Sequence, residues 1–547
     1  MRPDDQSREI RRKLLIAAML FAFIALVYLI FNVSRFEMLT DVNALDYAQV
    51  ARHVARGEGF ETSFIKPLGL TYETSIENHP ELTYPPLHIA WTAALMRMLG
   101  ENDRAASHSS GLAFLLTMPL LLLLGLRLFD WRTAVLGTFL FGTQVANLGY
   151  AITGLETCML GLWIAGLLLL LYQASENETR ELWWVGAAGL AMGLIYMTKY
   201  VWIAAAIPVI VYLIVMRPKN RLLRVIVFVG VLAVVSAPWL YRNYVITGNP
   251  FFTLRVHELV GQTRAYPANT IYRVFTEEIP SYIVFVGGNP RAIFEKIRMG
   301  INTSYGTFHS LAGVFVTPFF LVGIMVRLGN EKVERLRYVL YGMLVIVTLV
   351  LALFIAAPRL IAPLSGFVTI LSAALFWRLL DARTQMLEPQ VQTRWTVIAV
   401  AALIILHLHP FVTSITPDEP GGIIGETPLE LAMTQVSQTV DGPVLTDIPW
   451  TVSWMAEVDA VWVPQTEGDF HRMEDAVGRF EWLLLSPTVA RMAAPERLEM
   501  WANAWVQAQQ GEAEHLGFVI SARLGDGRWI LMRREGNGPS AEVAPPS

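Results

Sequence analysis

Two aspartates follow the first apolar segment of the chain, Asp41 and Asp46 in LTDVNALDYAQVARHVARGEGF at 39–60. A carboxylate can act as a general base that removes the proton of an attacking hydroxyl group. Aspartate near a helix start also accepts hydrogen bonds from the first backbone N–H groups, so either residue can be a simple helix cap. We assign Asp46 to the base, and Asp41 to a cap or to a side chain that orients the site.

The residues after Asp46 have the spacing of an amphipathic helix that lies along a membrane interface. Its apolar side consists of Tyr47, Val50, Ala51 and Val54. Gly57 and Gly59 are typical of the end of such a helix. Because Asp46 adjoins the apolar side, its carboxylate is expected to face the groove between this helix and the rest of the protein.

Four further charged residues interrupt long uncharged stretches. They are Glu156 in YAITGLETCMLGLW, Lys199 beside Tyr200 in MTKYVW, Arg242 in PWLYRNYVITGNPFF and Arg359 in AAPRLIAPLSG. Ionisable groups in membrane segments are costly and are candidates for function. The alternatives are a structural ion pair for Glu156 and anchoring at the interface for any single cation.

The composition is that of a polytopic membrane protein. The 547 residues are 54% hydrophobic and only 16% charged, against about a quarter charged in soluble domains. A net charge of -4 provides no basic field for nucleic acid, which excludes that class of partner. The single cysteine, Cys158, rules out an internal disulfide.

Eleven uncharged segments have about the length that a membrane-crossing helix needs, ~20 residues with ~17 as the lower limit. They are 14–31, 109–126, 133–155, 157–175, 182–198, 200–216, 225–241, 310–326, 338–358, 360–377 and 395–411. A twelfth candidate at 82–96 is shorter and begins near Pro85 and Pro86. We interpret it as a helix at the interface or one that enters the membrane only partly.

The distribution of basic residues orients these spans, because Lys and Arg in short loops mark the cytoplasmic side. With a cytoplasmic N-terminus and eleven spans, the basic loops at 217–224 and 327–337 lie inside. The first span has no small-residue cleavage pattern after it, so we expect an uncleaved anchor. The protein is thus predicted in the plasma (inner) membrane, with its C-terminal part extracytoplasmic.

Three long segments fall on the outer face in this topology. Residues 1–411 are predicted to form a transmembrane domain that includes the outer loops 32–108 and 242–309. The third outer segment, the tail, consists of the residues after 411. Short apolar runs alternate with helical patterns in the tail, which predicts a small α/β domain at 412–535. Residues 536–547 have the composition of a disordered end.

The ordered motifs resemble a known family, the polyprenyl-phosphate-sugar-dependent glycosyltransferases with the GT-C membrane fold. The resemblance extends from DYAQVARHVARGEGF through TYPPLHIAW, GLET, MTKYVW, PWLYRNYVITGNPFF and PRLIAPLSG to VLTDIPWTVSWMAEVDAVWVP. It implies an all-α bundle of about eleven spans, an essential Asp in the first outer loop, and a second acidic residue in the next. These map onto Asp46 or Asp41 and onto Glu156. Asn43 and Ala44 stand where the protein-mannosylating and aminoarabinose-transferring branches have an Asp-Glu pair, so the branch stays open.

The implied reaction is an inverting transfer of a sugar from a polyprenyl phosphate to a hydroxyl group of a lipid, glycan or protein. The phosphate is already a good leaving group, so one carboxylate base suffices. Cations must hold the departing phosphate, and Arg binds phosphate bidentately whereas Lys is a point charge. We assign this contact to Arg359 and Arg242, then to Lys199 with Tyr200.

Polar residues of the first outer loop are predicted to line the acceptor side: Glu77, His79, Tyr84 and His88. The cluster ENHPE also contains ligand types that metals accept, in Glu77, His79 and Glu81. Its spacing matches no recognised metal site. We therefore assign no cofactor, with a divalent cation at these three residues as the alternative.

Two other classes of protein also place charges in a helical bundle. A transporter or flippase for a lipid-linked glycan typically has internal repeats and broken helices near the membrane midplane. Here no half of the chain repeats the other, and the charges gather at the predicted outer turns. A sensor with the tail as its receptor is the third alternative, and no motif indicates a signalling partner.

Overall fold

The computed structural model describes residues 3–276, 282–328, 331–355, 357–416, 427–496, 499–511 and 514–535. The chain divides into two compact units. The first, the helical unit, comprises Met1–Ala51, Tyr84–Phe251 and Ile293–Gly421. The second, the sheet unit, comprises Arg52–Thr83, Phe252–Ala292 and Gly422–Ser547. The tail 536–547, expected to be disordered, lies outside the described residues.

Most of the chain is helical. In chain order the α-helices are α1 (Pro3–Arg35), α2 (Val42–Arg56), α3 (Pro67–Leu70), α4 (Pro86–Leu99), α5 (Asp103–Leu128), α6 (Trp131–Gly142), α7 (Val145–Ala151), α8 (Thr157–Glu176), α9 (Glu181–Thr198), α10 (Ala206–Val215), α11 (Arg221–Thr247), α12 (Tyr282–Gly288), α13 (Pro290–Thr307), α14 (Thr317–Gly323), α15 (Glu331–Leu353), α16 (Ser365–Thr384), α17 (Pro389–Ile415), α18 (Pro428–Thr439), α19 (Pro449–Thr451), α20 (Glu467–Val477), α21 (Pro487–Glu496) and α22 (Glu499–Gln510). Short 3-10 helices occupy Tyr200–Ala205, Leu254–Leu259, Thr270–Arg273, Phe308–Leu311, Pro358–Leu360 and Ala362–Leu364, and Val452–Ala456 is a π-helical turn.

Seven helices of the described residues are long and apolar enough to cross a membrane. They are Ser7–Arg35 of α1, α5, α8, α11, α15, Ala362–Thr384 including α16, and α17. The prediction of a multi-pass membrane protein built mainly of helices is thereby confirmed, whereas the number eleven is not.

The remaining four predicted spans are helical but shorter than an ideal span. The segment 133–155 divides into α6 and α7 at Thr143, and 310–326 contains only the seven-residue α14. The segment 200–216 begins as a 3-10 helix before α10, and α9 has 18 residues. Apolar length alone therefore located these helices without revealing their breaks.

Small residues allow the helices to approach closely. A Cβ atom on Gly189 of α9 would lie 2.5 Å from the carbonyl oxygen of Phe228 in α11, and one on Gly193 would lie 2.8 Å from Val235. Side chains at these glycines would force α9 and α11 apart. This is the small-residue packing expected of helices in a membrane, where apolar side chains gain little by leaving lipid.

Helices α2 and α4 lie in the part of the chain that sequence analysis assigned to the first outer loop. Helix α2 ends at Arg56, and Gly57 follows with φ of 87°, as predicted from the glycine. Residues 44–52 are buried on every side, so this half of α2 lacks the exposed polar face of a helix that lies along an interface. Helix α4 has 14 residues, roughly 21 Å, and is too short to cross the ~30 Å hydrocarbon core.

The sheet unit contains one mixed seven-stranded sheet in the order β1-β3-β2-β4-β7-β6-β5. Its strands are β1 (Phe64–Ile65), β2 (Val444–Thr446), β3 (Ala460–Trp462), β4 (Trp482–Leu485), β5 (Glu514–His515), β6 (Phe518–Leu524) and β7 (Trp529–Arg534). The first four strands of that order pair in parallel and the others antiparallel. The small α/β region predicted for the tail is confirmed. The sheet also includes β1, which comes from the first outer loop, and the predicted domain boundary at 411 stays a prediction.

A buried carboxyl group joins two strands of this sheet. Asp447 follows β2 and accepts hydrogen bonds from the backbone N–H and the hydroxyl group of Ser486, which follows β4, at 2.8 and 2.5 Å. Asp447 is fully buried, and this burial raises the pKa of its carboxyl to about 6 in spite of the two hydrogen bonds. The Asp447–Ser486 contact therefore links the C-terminal ends of β2 and β4, two neighbouring parallel strands.

Candidate active site

Glu156 and Lys199 form the most deeply buried ion pair at the candidate site. Lys199 Nζ lies 2.6 Å from Glu156 Oε1, and the side chains are 7% and 0% exposed. Glu156 directly precedes α8, and Lys199 lies between α9 and the 3-10 helix Tyr200–Ala205. The charges that sequence analysis placed in two separate turns are therefore neighbours.

The ion pair keeps Glu156 ionised. Burial alone would raise the pKa of the Glu156 carboxyl, but the positive charges of Lys199 and Arg359 outweigh burial and hold it below its ordinary value. The second oxygen, Oε2, is buried and accepts no hydrogen bond within the described parts of the chain. The sequence left a structural ion pair as the alternative for Glu156. The geometry is that of such a pair, in which Oε1 contacts Lys199 and Oε2 does not.

Aromatic side chains surround the Lys199 ammonium. Its Nζ donates to the Tyr47 hydroxyl at 3.4 Å and lies 5.8 and 5.6 Å from the ring centres of Tyr47 and Tyr84. The two rings lie 4.3 Å apart, and His88 meets Tyr47 edge-on at 5.2 Å. These contacts bring α2, α4 and the turn at Lys199 together, and cation-π attraction adds to the ion pair.

His88 is a buried, neutral imidazole. Burial lowers its pKa, and its Nε2 donates to the carbonyl oxygen of Gly154 at 2.9 Å. The other ring nitrogen, Nδ1, is buried and has no hydrogen-bond partner within the described ranges. In this tautomer Nδ1 is an acceptor, so a hydroxyl group of a bound molecule could satisfy it.

Asp41 is the N-cap of α2. Its Oδ1 accepts from the backbone N–H groups of Asn43 and Ala44 at 2.8 and 3.3 Å, the pattern of an aspartate cap. The same carboxylate accepts from Arg359 Nη1 at 3.3 and 3.4 Å. Asp41 thus combines the two roles that the sequence left as alternatives, a cap and a partner of another site residue.

Asp46 lies on α2 one residue before Tyr47 and is 1% exposed. Its Oδ1 accepts from the side-chain amide of Gln49 at 3.0 Å, one helical turn further along. This contact holds the carboxylate in a defined rotamer, beside the residue Tyr47 that contacts Lys199.

Arg242 and Tyr200 lie in a second cluster, which is built on Trp239. The guanidinium of Arg242 stacks over the Trp239 ring at 4.6 Å, and the indole N–H donates to the Tyr200 hydroxyl at 2.5 Å. Tyr200 also packs against Tyr196, with ring centres 5.3 Å apart. Because Tyr200 follows Lys199, the backbone joins the two clusters.

The loop residues Glu77, His79 and Glu81 belong to the sheet unit. His79 is buried, donates from Nδ1 to the Ser75 carbonyl at 2.8 Å, and has its pKa lowered by burial to about 4. Glu81 is buried and accepts from the backbone N–H of Thr83, while Glu77 is exposed. Among the described residues, no three His, Cys, Asp or Glu side chains are placed to hold a metal ion.

Three residues that contact the predicted ones were not predicted from the sequence. Gln49 holds Asp46, Tyr47 contacts Lys199, and Asn43 accepts from the Tyr84 hydroxyl at 3.2 Å. Gln49 was detectable, since residues three apart on a helix are neighbours. Tyr47 was assigned only to the apolar side of α2, and no local pattern announces its contact with Lys199, 152 residues away.

Among the solved structures similar to this chain, two cover most of its length. ArnT from Cupriavidus metallidurans, bound to undecaprenyl phosphate, is 14% identical over 96% of this chain and 99% of its own, with a TM-score of 0.56. The oligosaccharyltransferase AglB from Archaeoglobus fulgidus, in complex with an inhibitory peptide and a dolichol-phosphate, is 12% identical over 89% and 71%, with a TM-score of 0.57. This chain has a GT-C fold. The fold expected from the sequence motifs is confirmed.

The GT-C resemblance is also visible in part of the sequence itself. The family described as dolichyl-phosphate-mannose-protein mannosyltransferase matches residues 83–241. This segment contains Tyr84, His88, Glu156 and Lys199, which the structure places together. No curated protein sequence matched the chain significantly.

Proposed function

We propose that the protein is an inverting glycosyltransferase that moves a sugar from a polyprenyl-phosphate donor to a hydroxyl acceptor on the outer face of the membrane. The observation that carries this proposal is the connected set of ionisable residues in the helical unit. Asp41 contacts Arg359, whose charge acts on Glu156, and Glu156 pairs with Lys199. Lys199 in turn contacts Tyr47, the neighbour of Asp46.

Asp46 is the base in this reaction. It takes the proton of the acceptor hydroxyl as the oxygen forms a bond to the anomeric carbon from the face opposite the phosphate. The bond between that carbon and the phosphate oxygen breaks, and its electron pair leaves with the polyprenyl phosphate. The configuration at the carbon is inverted, and no protein acid is needed because the phosphate leaves as a stable anion.

Arg359 is the first candidate to hold the departing phosphate. Its contacts with Asp41 are long, at 3.3 and 3.4 Å, and its side chain is 16% exposed. Phosphate oxygens offer shorter, charge-assisted hydrogen bonds to the same guanidinium. Binding of the donor would therefore exchange a weak carboxylate contact for a stronger phosphate contact.

Arg242 and Tyr200 are the second candidates. Trp239 holds both side chains, and Arg242 is only partly buried. The Tyr200 hydroxyl accepts from the Trp239 indole N–H, and a phenolic hydroxyl is of the donor type that phosphate oxygens accept. Lys199 ranks below them because Glu156 already neutralises its charge, and we assign it to the orientation of Glu156.

The class of donor is supported by the lipids in the two similar structures, undecaprenyl phosphate in ArnT and a dolichol-phosphate in AglB. For this chain we propose a polyprenyl-phosphate-linked hexose or pentose, and a lipid, glycan or protein acceptor. The proposed location is the plasma (inner) membrane, with the N-terminus cytoplasmic and the sheet unit extracytoplasmic.

Glycosyl transfer in detergent tests the function directly. The purified protein is supplied with synthetic polyprenyl-phosphate sugars and a mixture of hydroxyl acceptors, and release of polyprenyl phosphate is measured. Asp46→Asn is the inactive variant, and Asp381→Asn on α16, whose side chain is 46% exposed, is the matched control. Donor-dependent turnover in wild type and in Asp381→Asn, lost in Asp46→Asn, supports the proposal.

The competing function is transport of a lipid-linked glycan. Reconstituted vesicles that contain the protein would then expose the labelled glycan on the opposite leaflet without any release of polyprenyl phosphate. If such translocation is observed and Asp46→Asn does not affect it, the protein is a flippase and the proposed enzymatic function is wrong.

A further inference from the structure

An apolar groove runs between α10 and α15 on the surface of the helical unit. Its cavity has a volume of about 310 Å³. Its lining is mainly apolar and includes Ile207, Val211 and Val215 of α10, Ile346 of α15, and Arg335. Ile207, Val211 and Val215 are 53–61% exposed, so the groove opens away from the protein.

The groove has a closed floor and a defined length. A Cβ atom on Gly342 would lie 2.7 Å from Pro208, which shows how closely α10 and α15 approach there. From Ile207 to Val215 the helix rises by roughly 12 Å, at ~1.5 Å per residue. A groove of this length and polarity matches part of an acyl chain.

One end of the groove is basic. Arg335 lines that end, donates from Nη1 to the Met216 carbonyl at 2.6 Å and from Nη2 to Glu331, and has a side chain that is 33% exposed. The adjoining segment 216–224 contains four cations, Arg217, Lys219, Arg221 and Arg224, and no acidic residue. Arg217 pairs with Glu178 and Glu181, and Arg224 is fully buried against Glu181. Lys219 and Arg221 are exposed.

We propose that this groove binds a phospholipid of the bilayer that has an anionic headgroup. One acyl chain lies against Val211 and Ile346, and the headgroup phosphate lies at Arg335 and the exposed cations Lys219 and Arg221. Helix α15 is long and apolar enough to cross a membrane, and Tyr200–Val215 is a shorter apolar helix, so the groove faces hydrocarbon. Charge complementarity at its basic end selects an anionic lipid over a zwitterionic one.

The groove is separate from the candidate active site. Lys199 precedes the apolar helix Tyr200–Val215, and Arg335 contacts Met216, which follows the same helix. The two sites therefore lie at opposite ends of 16 residues, roughly 27 Å apart at ~2.0 Å per residue in the 3-10 helix and ~1.5 Å in α10. The lipid in the groove is thus not the sugar donor, and the proposal does not depend on the proposed reaction.

Native mass spectrometry of the purified, delipidated protein tests the site with two defined lipids, phosphatidylglycerol and phosphatidylcholine. We expect phosphatidylglycerol to bind roughly tenfold more tightly, because phosphatidylcholine carries the same phosphate but adds a choline cation, which the basic end repels. Val211→Trp fills the groove and should weaken phosphatidylglycerol binding by about tenfold or more. Val234→Trp, on α11 at a residue 73% exposed and outside the groove, is the matched control and should bind as wild type does.

The variant Arg335→Gln tests the contribution of the headgroup to binding separately from that of the acyl chain. This variant should discriminate less between the two lipids, because only Lys219 and Arg221 then remain for the headgroup, while its melting temperature reports whether loss of the Met216 contact disturbs the fold. Equal binding of both lipids by wild type, or the same effect of Val211→Trp and Val234→Trp, would mean ordinary boundary lipid and overturn the proposal. Complete displacement of phosphatidylglycerol by inorganic phosphate would overturn it too, because the acyl chain would then contribute nothing.

Discussion

The Lys199 ammonium lies 2.6 Å from Glu156 Oε1, in a pair that is almost wholly buried. Because the pair joins the residue before α8 to the residue after α9, it holds the ends of two helices together. The two charges compensate each other. We therefore assign the base and the first phosphate ligand of the proposed reaction to other residues: Asp46, which precedes the Lys199 contact Tyr47, and Arg359, whose charge acts on Glu156.

Removal of either partner of this pair should destabilise the protein strongly. Glu156→Gln and Lys199→Met are each expected to cost roughly 3–5 kcal/mol, because the remaining charge stays buried without its nearest counter-ion. The double variant should lose clearly less than the sum of the two. Thermal unfolding of all four proteins in one detergent measures this coupling, and strictly additive losses would argue against a coupled pair.

Substitutions of Asp46 and Asp41 should differ in their effects on turnover and on thermal stability. Asp46→Asn keeps the oxygen that accepts from Gln49 but removes the basic group, so turnover should fall by ~100-fold or more with donor binding retained. Asp41→Asn keeps a good cap residue and loses the charge partner of Arg359, so it should cost less turnover and more thermal stability. Single-turnover rates with saturating donor, beside melting curves, distinguish the two.

The reverse outcome reassigns the roles. If Asp41→Asn is inactive and Asp46→Asn is only less stable, Asp41 is the base. Near-normal rates in both variants would exclude both, and Glu156 would become the next candidate because its Oε2 accepts no hydrogen bond within the described residues.

Arg359→Ala should weaken donor binding. The variant removes the planar guanidinium that we assign to the phosphate, so the donor concentration for half-maximal rate should rise by roughly tenfold or more. Arg359→Lys should rescue only in part because an ammonium cannot bind two phosphate oxygens in the same plane. Arg132→Ala, in a surface pair with Asp381, is the control, and unchanged donor kinetics in a folded Arg359→Ala protein would remove Arg359 from the site.

Much of the architecture was predictable from the sequence because it depends on local patterns. Apolar length located the helices, and Gly57 predicted the end of α2. The alternation of short apolar runs predicted the sheet region. The charged residues Glu156, Lys199 and Arg359 were recognisable because a charge in a long apolar stretch is costly, whatever its partner.

The partners themselves were beyond the sequence. Glu156 and Lys199 are 43 positions apart, and Asp41 and Arg359 are 318 apart, so no helical spacing relates them. For the same reason the sequence could not reveal that Glu156 neutralises Lys199, and the assignment of Lys199 to the phosphate stays a prediction. The break between α6 and α7 was also missed, because apolar length does not register a local change of backbone direction.

Asp447 should make stability depend on pH. Its pKa is raised from 3.8 to about 6 by burial, so the folded state holds this proton more tightly than the unfolded chain. The contribution of Asp447 to the free energy of unfolding is largest below pH 3.8. It decreases as the pH rises to about 6, by at most roughly 3 kcal/mol at ~1.4 kcal/mol per pH unit.

Asp447→Asn should remove this dependence. The melting temperature of the variant should change less than that of wild type between about pH 4 and 6.5, the range over which this carboxyl and histidines titrate. His79 and His257, whose pKa values are lowered to about 4 by burial, have the opposite slope but are present in both proteins. The exposed Asp475→Asn on α20 is the control, and identical profiles of Asp447→Asn and wild type would refute the assignment.

The predicted topology can be tested with a single thiol. Gln510, exposed at the end of α22, is changed to Cys in a Cys158→Ala background, so that no other thiol is present. An impermeant thiol reagent added to intact cells should label it, because an odd number of spans puts the sheet unit outside. Labelling only after lysis would instead place the sheet unit in the cytoplasm.

Strand β1 has a consequence for how the protein is made. Phe64 pairs with Ala460, so β1 cannot pair until β3, 396 residues later in the chain, has been synthesised. At ~5–20 residues per second, the ribosome needs roughly 20–80 s to synthesise that interval. During this time the early segment has no strand to pair with, and a protein truncated before β3 would never complete it. Premature stop codons late in the gene should thus produce chains that quality-control proteases remove, even when every apolar helix has been translated.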